Sequence, residues 1–206
     1  HRATKEGYFK RQILPISIKQ RRQMISFEKD EHIRSDATTE SMAKLRTVFK
    51  EDGSVTAGNA SGLNDAASAI ILMERSKAEK GSKEILGRLV GYAHSGVDPK
   101  YMGIGPVPAI QKCLESTGLT VKDMDVIELN EAFAAQALAV ARDLNLPMDR
   151  TNPNGSGISL GHPIGATGCL ITVKLLYELK RIQGRYGLVS MCIGGGQGIA
   201  AIFERV

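Results

Sequence analysis

Three short segments of this 206-residue chain carry residue types at spacings suited to chemistry. The first is Asn130-Glu131-Ala132-Phe133, where an apolar run gives way to a helical pattern. Asn130 can cap that helix by accepting from backbone N–H groups. Alternatively, its amide turns into a pocket at the carboxyl end of the strand, where α/β folds gather their sites. The second segment is Asn152 to Gly168, NPNGSGISLGHPIGATG, with glycines at 155, 157, 161, 165 and 168. Glycines at that density let a backbone approach something closely or take φ > 0. His162 sits between Gly161 and Pro163 at a helix entrance. It is either a satisfied structural histidine or a catalytic one, since a helix N-terminus lowers an imidazole's pKa and steadies nearby negative charge. The third segment, Met191-Cys192-Ile193-Gly194-Gly195-Gly196-Gln197-Gly198, puts a cysteine at a strand end directly before a glycine turn. Such a turn exposes the sulfur and aims several backbone N–H groups, Gly194 among them, into one space. That suits a nucleophile or a general base working beside an oxyanion. Cys113 and Cys169 lie on apolar helix faces and read as small buried hydrophobes.

These segments need elements to hold them. From Ser54 onward, strand-like apolar runs alternate with amphipathic helical patterns, as in a layered α/β domain. Helices are expected at 39–50 (a stripe of Met42, Leu45 and Phe49), from Gly62 to Lys80, from Pro106 to Thr117, from Glu131 to Leu144 and from Pro163 to Ile182. Strands are expected at 85–95, 124–129, 187–193 and 199–204, the last two forming an antiparallel hairpin around Gly194–Gly198. Several familiar chemistries lack their motifs. No Gly cluster reads G-x-G-x-x-G after a strand, and there is neither a GKS/GKT loop nor a G-x-S-x-G elbow.

Composition narrows the setting. With 42% hydrophobic residues, 22 glycines and no tryptophan, the chain can bury one ordinary core, with or without a polar appendage. Its three cysteines are widely spaced, so a disulfide framework or zinc site is not expected, and a reducing, cytoplasmic setting is. No apolar run is long enough to span a bilayer, which is about 18 residues or more. The net charge of +5 is concentrated in residues 1–52, where 12 Lys/Arg face 8 Asp/Glu. A basic stretch of this kind can be a solvated face or meet nucleic acid, an anionic membrane or a small polyanion, and the lack of aromatic–arginine interleaving argues against nucleic acid.

Taken together, NEAF, GHPIGATG and CIGGGQG resemble the thiolase family in order and separation. TAGNASGLNDAASA (56–69), EHIRSDATTESMAKLR (31–46) and MGIGPVPA (102–109) extend the resemblance over essentially the whole chain. The flavour is that of bacterial polyhydroxyalkanoate-type β-ketothiolases. The resemblance implies the carboxyl-terminal βαβαβαββ half of the thiolase fold, a mixed sheet between helices. Residues 1–53 would be the remainder of a CoA-binding loop domain, and 54–206 the carboxyl-terminal domain. It implies an acyl-CoA acetyltransferase that condenses acetyl-CoA with an acyl-CoA, or cleaves 3-ketoacyl-CoA, by a ping-pong cysteine mechanism. Cys192 then matches the acid/base cysteine, and His162 the residue that activates the nucleophile and helps hold the thioester oxygen. Asn130 matches the one that fixes a water in the same oxyanion hole, and the Gly194 N–H part of the second hole. Ala60, Ser61, Gly62 and Leu63 resemble the segment that touches the pantetheine arm, and Arg34 a residue against the CoA nucleotide.

One feature of the family is missing. Its nucleophilic cysteine belongs to the amino-terminal half, and neither Cys113 nor Cys169 matches it. The chain opens on His1 and would begin inside the loop domain. The expectation is therefore a chain that is inactive unless joined to its amino-terminal half, in a homodimer or homotetramer. It would have a CoA thioester as substrate, no tightly bound cofactor, no metal, no nucleic acid and no membrane. The alternative is a non-catalytic fragment that binds CoA or only dimerises.

Overall fold

Two apolar runs separated by three glycines form the centre of the molecule. Tyr186–Ile193 and Gln197–Glu204 pair as an antiparallel hairpin in the computed structural model, which describes all residues 1–206. In chain order the elements are α1 (Arg2–Lys5), β1 (Ile16–Gln20), β2 (Gln23–Phe27), α2 (Thr39–Met42), α3 (Arg75–Lys80), β3 (Arg88–Gly96) and α4 (Pro106–Thr117). Then follow β4 (Met124–Leu129), α5 (Ala134–Asp143), α6 (Gly157–Leu160), α7 (Thr167–Ile182), β5 (Tyr186–Ile193) and β6 (Gln197–Glu204). Short 3-10 turns at Pro99–Ile104 and Val121–Asp123 lead into α4 and β4.

Strands β3, β6, β5 and β4 form one mixed sheet in that order. β4 runs parallel to β5, while β6 is antiparallel to both of its neighbours. Side-chain alternation along β5 sends Leu188 to one face and Val189 to the other. Leu188 joins Ala109, Ile110 and Cys113 of α4, together with Val140 of α5; Val189 joins Ile171, Leu175 and Leu179 of α7. The sheet is thus sandwiched between helices, and both spacings are those of a buried helical stripe. Fully burying a side chain such as Ile110 or Leu175 contributes about 1.5–3 kcal/mol.

The helix over Pro106–Thr117 forms as expected, with Pro106 in its first turn and Gly118 closing it in the left-handed region. Other expectations need correction. The helix at 39–50 shrinks to four residues, Thr39–Met42, opened by a Thr38/Ser41 capping box. The strand foreseen at 85–95 runs over Arg88–Gly96.

The helix from Gly62 to Lys80 is present only over Arg75–Lys80. The backbone of residues 65–73 makes no backbone–backbone hydrogen bond within the chain. From Ala66 to Met73 every side chain but Ser68 is apolar, so a helix there would have almost no polar face to offer solvent. The carboxyl-terminal helices also begin late, at Ala134 and Thr167: Ala132 and Ala134 bond to Ser61 and Asn59, while Pro163–Ala166 fold into a turn closed by Ala166 N–H on the Pro163 carbonyl.

Candidate active site

Asn130 follows the last residue of β4 and is fully buried. Its N–H donates to the Ser190 carbonyl of β5 at 2.9 Å, so the backbone continues the sheet for one more step. The loop carrying NPNG is fastened to the same point. Asn152, held at φ +50°, accepts from Leu129 N–H at 2.9 Å and donates to the Leu129 carbonyl at 2.8 Å. Ser156 Oγ donates a second bond to that carbonyl at 3.0 Å. The helix that Asn130 was a candidate to cap starts later, with Phe133 in the capping position and no side-chain cap. The amide instead faces a histidine: Asn130 Nδ2 lies 3.4 Å from His162 Nε2.

His162 is held from both sides. Its N–H donates to the Gly62 carbonyl at 3.0 Å and to Asn64 Oδ1 at 3.2 Å. Its ring Nδ1 lies 2.7 Å from Thr167 Oγ1 in the first turn of α7. Gly161, at φ +99°, is required here, because a Cβ would collide with the Asn64 side chain. Burial lowers the imidazole pKa below its usual value, so the ring is neutral around pH 7.

The Ala60–Leu63 segment threads between these two motifs. Ala60 bridges Phe133, Ser61 N–H donates to the Ala132 carbonyl at 3.0 Å, and Leu63 bridges His162. Ala60, Ser61 and Gly62 are partly buried, while Leu63 is exposed. His32 packs over Gly62, and its Nε2 lies 3.1 Å from the Ile158 carbonyl. Arg34, two residues on, is exposed and makes neither an ion pair nor a side-chain hydrogen bond.

Cys192 lies one residue before the end of β5, opposite Gly198 of β6, and is buried rather than exposed, which pushes its thiol pKa up. The strand ends carrying Asn130 and Cys192 are neighbours, since Asn130 bonds to the residue two before Cys192. Gly194 is exposed, with open space where a side chain would be. The turn it opens is held against the loop after β3 by a bond from Val97 N–H to the Gly196 carbonyl. No group of three His, Cys, Asp or Glu side chains is placed to hold a metal ion. Cys113 is fully buried beneath α4, and Cys169 is half-buried in the first turn of α7.

Five supporting residues were not singled out by sequence reading: Thr167, Asn152, Asn64, Glu131 and His32. Glu131 accepts from Asn152 Nδ2 at 3.2 Å and from Ile158 N–H at 3.4 Å. Each lies inside a motif that was read for its better-known neighbours.

The family described as thiolase, C-terminal domain, matches residues 83–205, and thiolase, N-terminal domain, matches residues 1–76. This chain belongs to the thiolase family. Among curated relatives, the thiolase named beta-ketothiolase BktB from Cupriavidus necator is 66% identical over 205 residues, covering 99% of this chain and 52% of that protein. The mitochondrial 3-ketoacyl-CoA thiolase of Homo sapiens is 50% identical over 202 residues, covering 98% and 51%. The crystal structure of the Bacillus anthracis acetyl-CoA acetyltransferase superposes with a TM-score of 0.97 at 53% identity, covering 100% of this chain and 52% of that one. Human mitochondrial 3-ketoacyl-CoA thiolase in complex with CoA superposes with a TM-score of 0.91 at 47% identity, covering 100% and 51%. The chain therefore has the α/β thiolase fold over its length and spans about half the length of the relatives it matches. No helix is long and apolar enough to cross a membrane.

Proposed function

We propose that this chain supplies the proton-handling half of a thiolase active site. The complete protein would be an acetyl-CoA acetyltransferase and 3-ketoacyl-CoA thiolase. The observation carrying this reading is the buried Asn130–His162 pair, beside the strand end that presents Cys192.

In this reading the nucleophilic cysteine comes from the amino-terminal half that precedes these residues in full-length thiolases. Neutral His162 takes that thiol's proton at Nε2. The thiolate attacks an acyl-CoA carbonyl, and His162 then donates to the thioester oxygen together with a water held by Asn130. The departing CoA thiolate takes its proton from Cys192. A second thioester, acetyl-CoA, enters, and the Cys192 thiolate removes a proton from its α-carbon. The resulting enolate attacks the acyl-enzyme carbonyl, whose oxyanion receives the Gly194 N–H. Collapse releases the nucleophile, which recovers its proton from His162. Losing one such donor typically costs about 100- to 1000-fold in rate.

For the thioester itself, Ala60, Ser61, Gly62 and Leu63 would line the pantetheine arm. Arg34, within residues 1–53, would face the CoA nucleotide. Support comes from the threading of 60–63 between the two catalytic motifs, and from the free guanidinium of Arg34 on the basic stretch. A relative solved with CoA bound supports the same ligand. The complete enzyme is expected as a homodimer or homotetramer in the cytoplasm.

Acetoacetyl-CoA thiolysis by the complete protein tests the assignment, with Cys192→Ala and His162→Ala each expected to lose at least about 100-fold. Full activity in either variant overturns these roles. One observation favours a second reading for the chain on its own, as a CoA-binding or dimerising fragment. Ile71, Leu72 and Met73 stand exposed with no intrachain cover. Intact-mass analysis of the purified protein separates the two, since a lone 22.2 kDa species without turnover supports the fragment.

A further inference from the structure

We propose that Thr167 is a positioning residue that holds His162 with its proton on Nδ1, leaving the Nε2 lone pair free to accept the nucleophile's proton. This rests on the base role of His162 proposed above. Thr167 is 2% exposed and belongs to the first turn of α7. Its Oγ1 lies 2.7 Å from His162 Nδ1 and 3.0 Å from the Pro163 carbonyl.

A hydroxyl has one proton to give. A carbonyl oxygen can only accept, so the favourable arrangement sends the hydroxyl proton to Pro163 and leaves an oxygen lone pair for an N–H at Nδ1. In the reverse arrangement the hydroxyl points at a bare Nδ1, and its oxygen then faces the Pro163 carbonyl with lone pair against lone pair. At the other end of the ring, Nε2 lies 3.4 Å from the Asn130 side-chain amide. The Thr167 contact therefore selects the tautomer with its proton on Nδ1. The second nitrogen's hydrogen bond commonly decides which ring nitrogen does the chemistry. Helix α7 thus reaches the site through a side chain in its first turn. Pro163–Ala166 form the tight turn that brings the histidine back onto it, closed by Ala166 N–H on the Pro163 carbonyl at 2.7 Å.

The test uses the complete protein labelled with 15N-histidine, the His162 signal being identified by its loss in His162→Ala. Ring-nitrogen shifts of the neutral form are expected to show Nδ1 protonated and Nε2 bare. Thr167→Val keeps the shape and removes the hydroxyl. It should move the ring toward the Nε2–H form and lower kcat about 10- to 100-fold with little change in KM. Thr167→Ser should restore both the tautomer and the rate.

A proton found on Nε2 in the unsubstituted protein overturns the proposal without any variant. So does a Thr167→Val protein that keeps the wild-type tautomer, or one that keeps kcat within about twofold. The functional reading fails separately, through unchanged turnover in His162→Ala, because the tautomer is read without turnover.

Discussion

The imidazole of His162 and the thiol of Cys192 are displaced in opposite directions by the same cause, removal from water. Burial lowers the first and raises the second, because each is held in its neutral form. In the roles proposed for them, a base that starts neutral and an acid that starts protonated, both groups are served by this. The thiolysis rate of the complete enzyme should therefore hold across neutral pH. Its acid limb should fall below about pH 6.5 and its alkaline limb above about pH 8.5, those being the unperturbed values. A rate that already declines between about pH 7 and 8 would contradict these environments. Stability follows the same signs. The unfolded chain protonates His162 first as pH falls below about 6.5, and ionises Cys192 first as pH rises above about 8.5, so both groups destabilise the fold outside that window.

At the scale of elements, the loop that fastens Asn130 also depends on a buried ion pair. Lys174 of α7 reaches Glu128 of β4 at 2.7 Å and also donates to the Gly155 carbonyl, with both charged side chains shielded from water. Burial pushes the Glu128 carboxyl up, and Lys174 opposes that shift. Lys174→Met leaves a buried carboxylate without its cation, at an expected cost of about 3–5 kcal/mol in chemical denaturation of the complete protein. Adding Glu128→Leu should recover most of the loss. If the single and double variants prove equally unstable, the pair is not what holds α7 to β4.

Elements were legible where punctuation was local. Pro106 and Gly118 bound α4 whatever the rest of the chain does. The start of α5 was not legible, because Ala132 and Ala134 bond to Ser61 and Asn59, some seventy residues away, and keep 130–133 out of the helix. The start of α7 moves from Pro163 to Thr167 because Pro163–Ala166 form a turn of their own, behind a His162 whose N–H is bonded to Gly62.

Across the whole molecule, the conspicuous surface is a groove of about 2000 Å³ lined by residues such as Ile70, Ile71, Leu72, Leu86, Val173 and Tyr177. Ile71 is 83% and Leu72 is 72% exposed, beside a backbone that makes no backbone–backbone hydrogen bonds from 65 to 73. Unpaired backbone next to exposed aliphatic side chains is what a strand looks like without its sheet. The chain spans about half the length of the relatives it matches, so a polypeptide corresponding to their amino-terminal half is the cover to test. The isolated chain should bind an apolar dye strongly and self-associate. Co-expression with a polypeptide corresponding to the amino-terminal half should abolish both and yield a one-to-one complex. Ile71→Lys should weaken that complex by at least about tenfold, since fully burying such a side chain is worth about 1.5–3 kcal/mol. Unchanged assembly would remove this groove from consideration as the docking face.

By itself, the sequence determined the fold family and pointed to the candidate residues of the site. NEAF, GHPIGATG and CIGGGQG combine residue types that are costly or uncommon in ordinary turns, so they remain visible without any knowledge of neighbours. It also determined the hairpin, because glycines between two alternating apolar runs leave the chain little else to do. Tertiary structure alone decided that Asn130 faces His162 rather than capping α5, and that Thr167, Asn152 and Asn64 hold the pair in place. It alone decided that 64–73 is not a helix. These outcomes turn on hydrogen bonds between segments far apart in the chain, or on bonds left unmade. Local propensity carries no record of either.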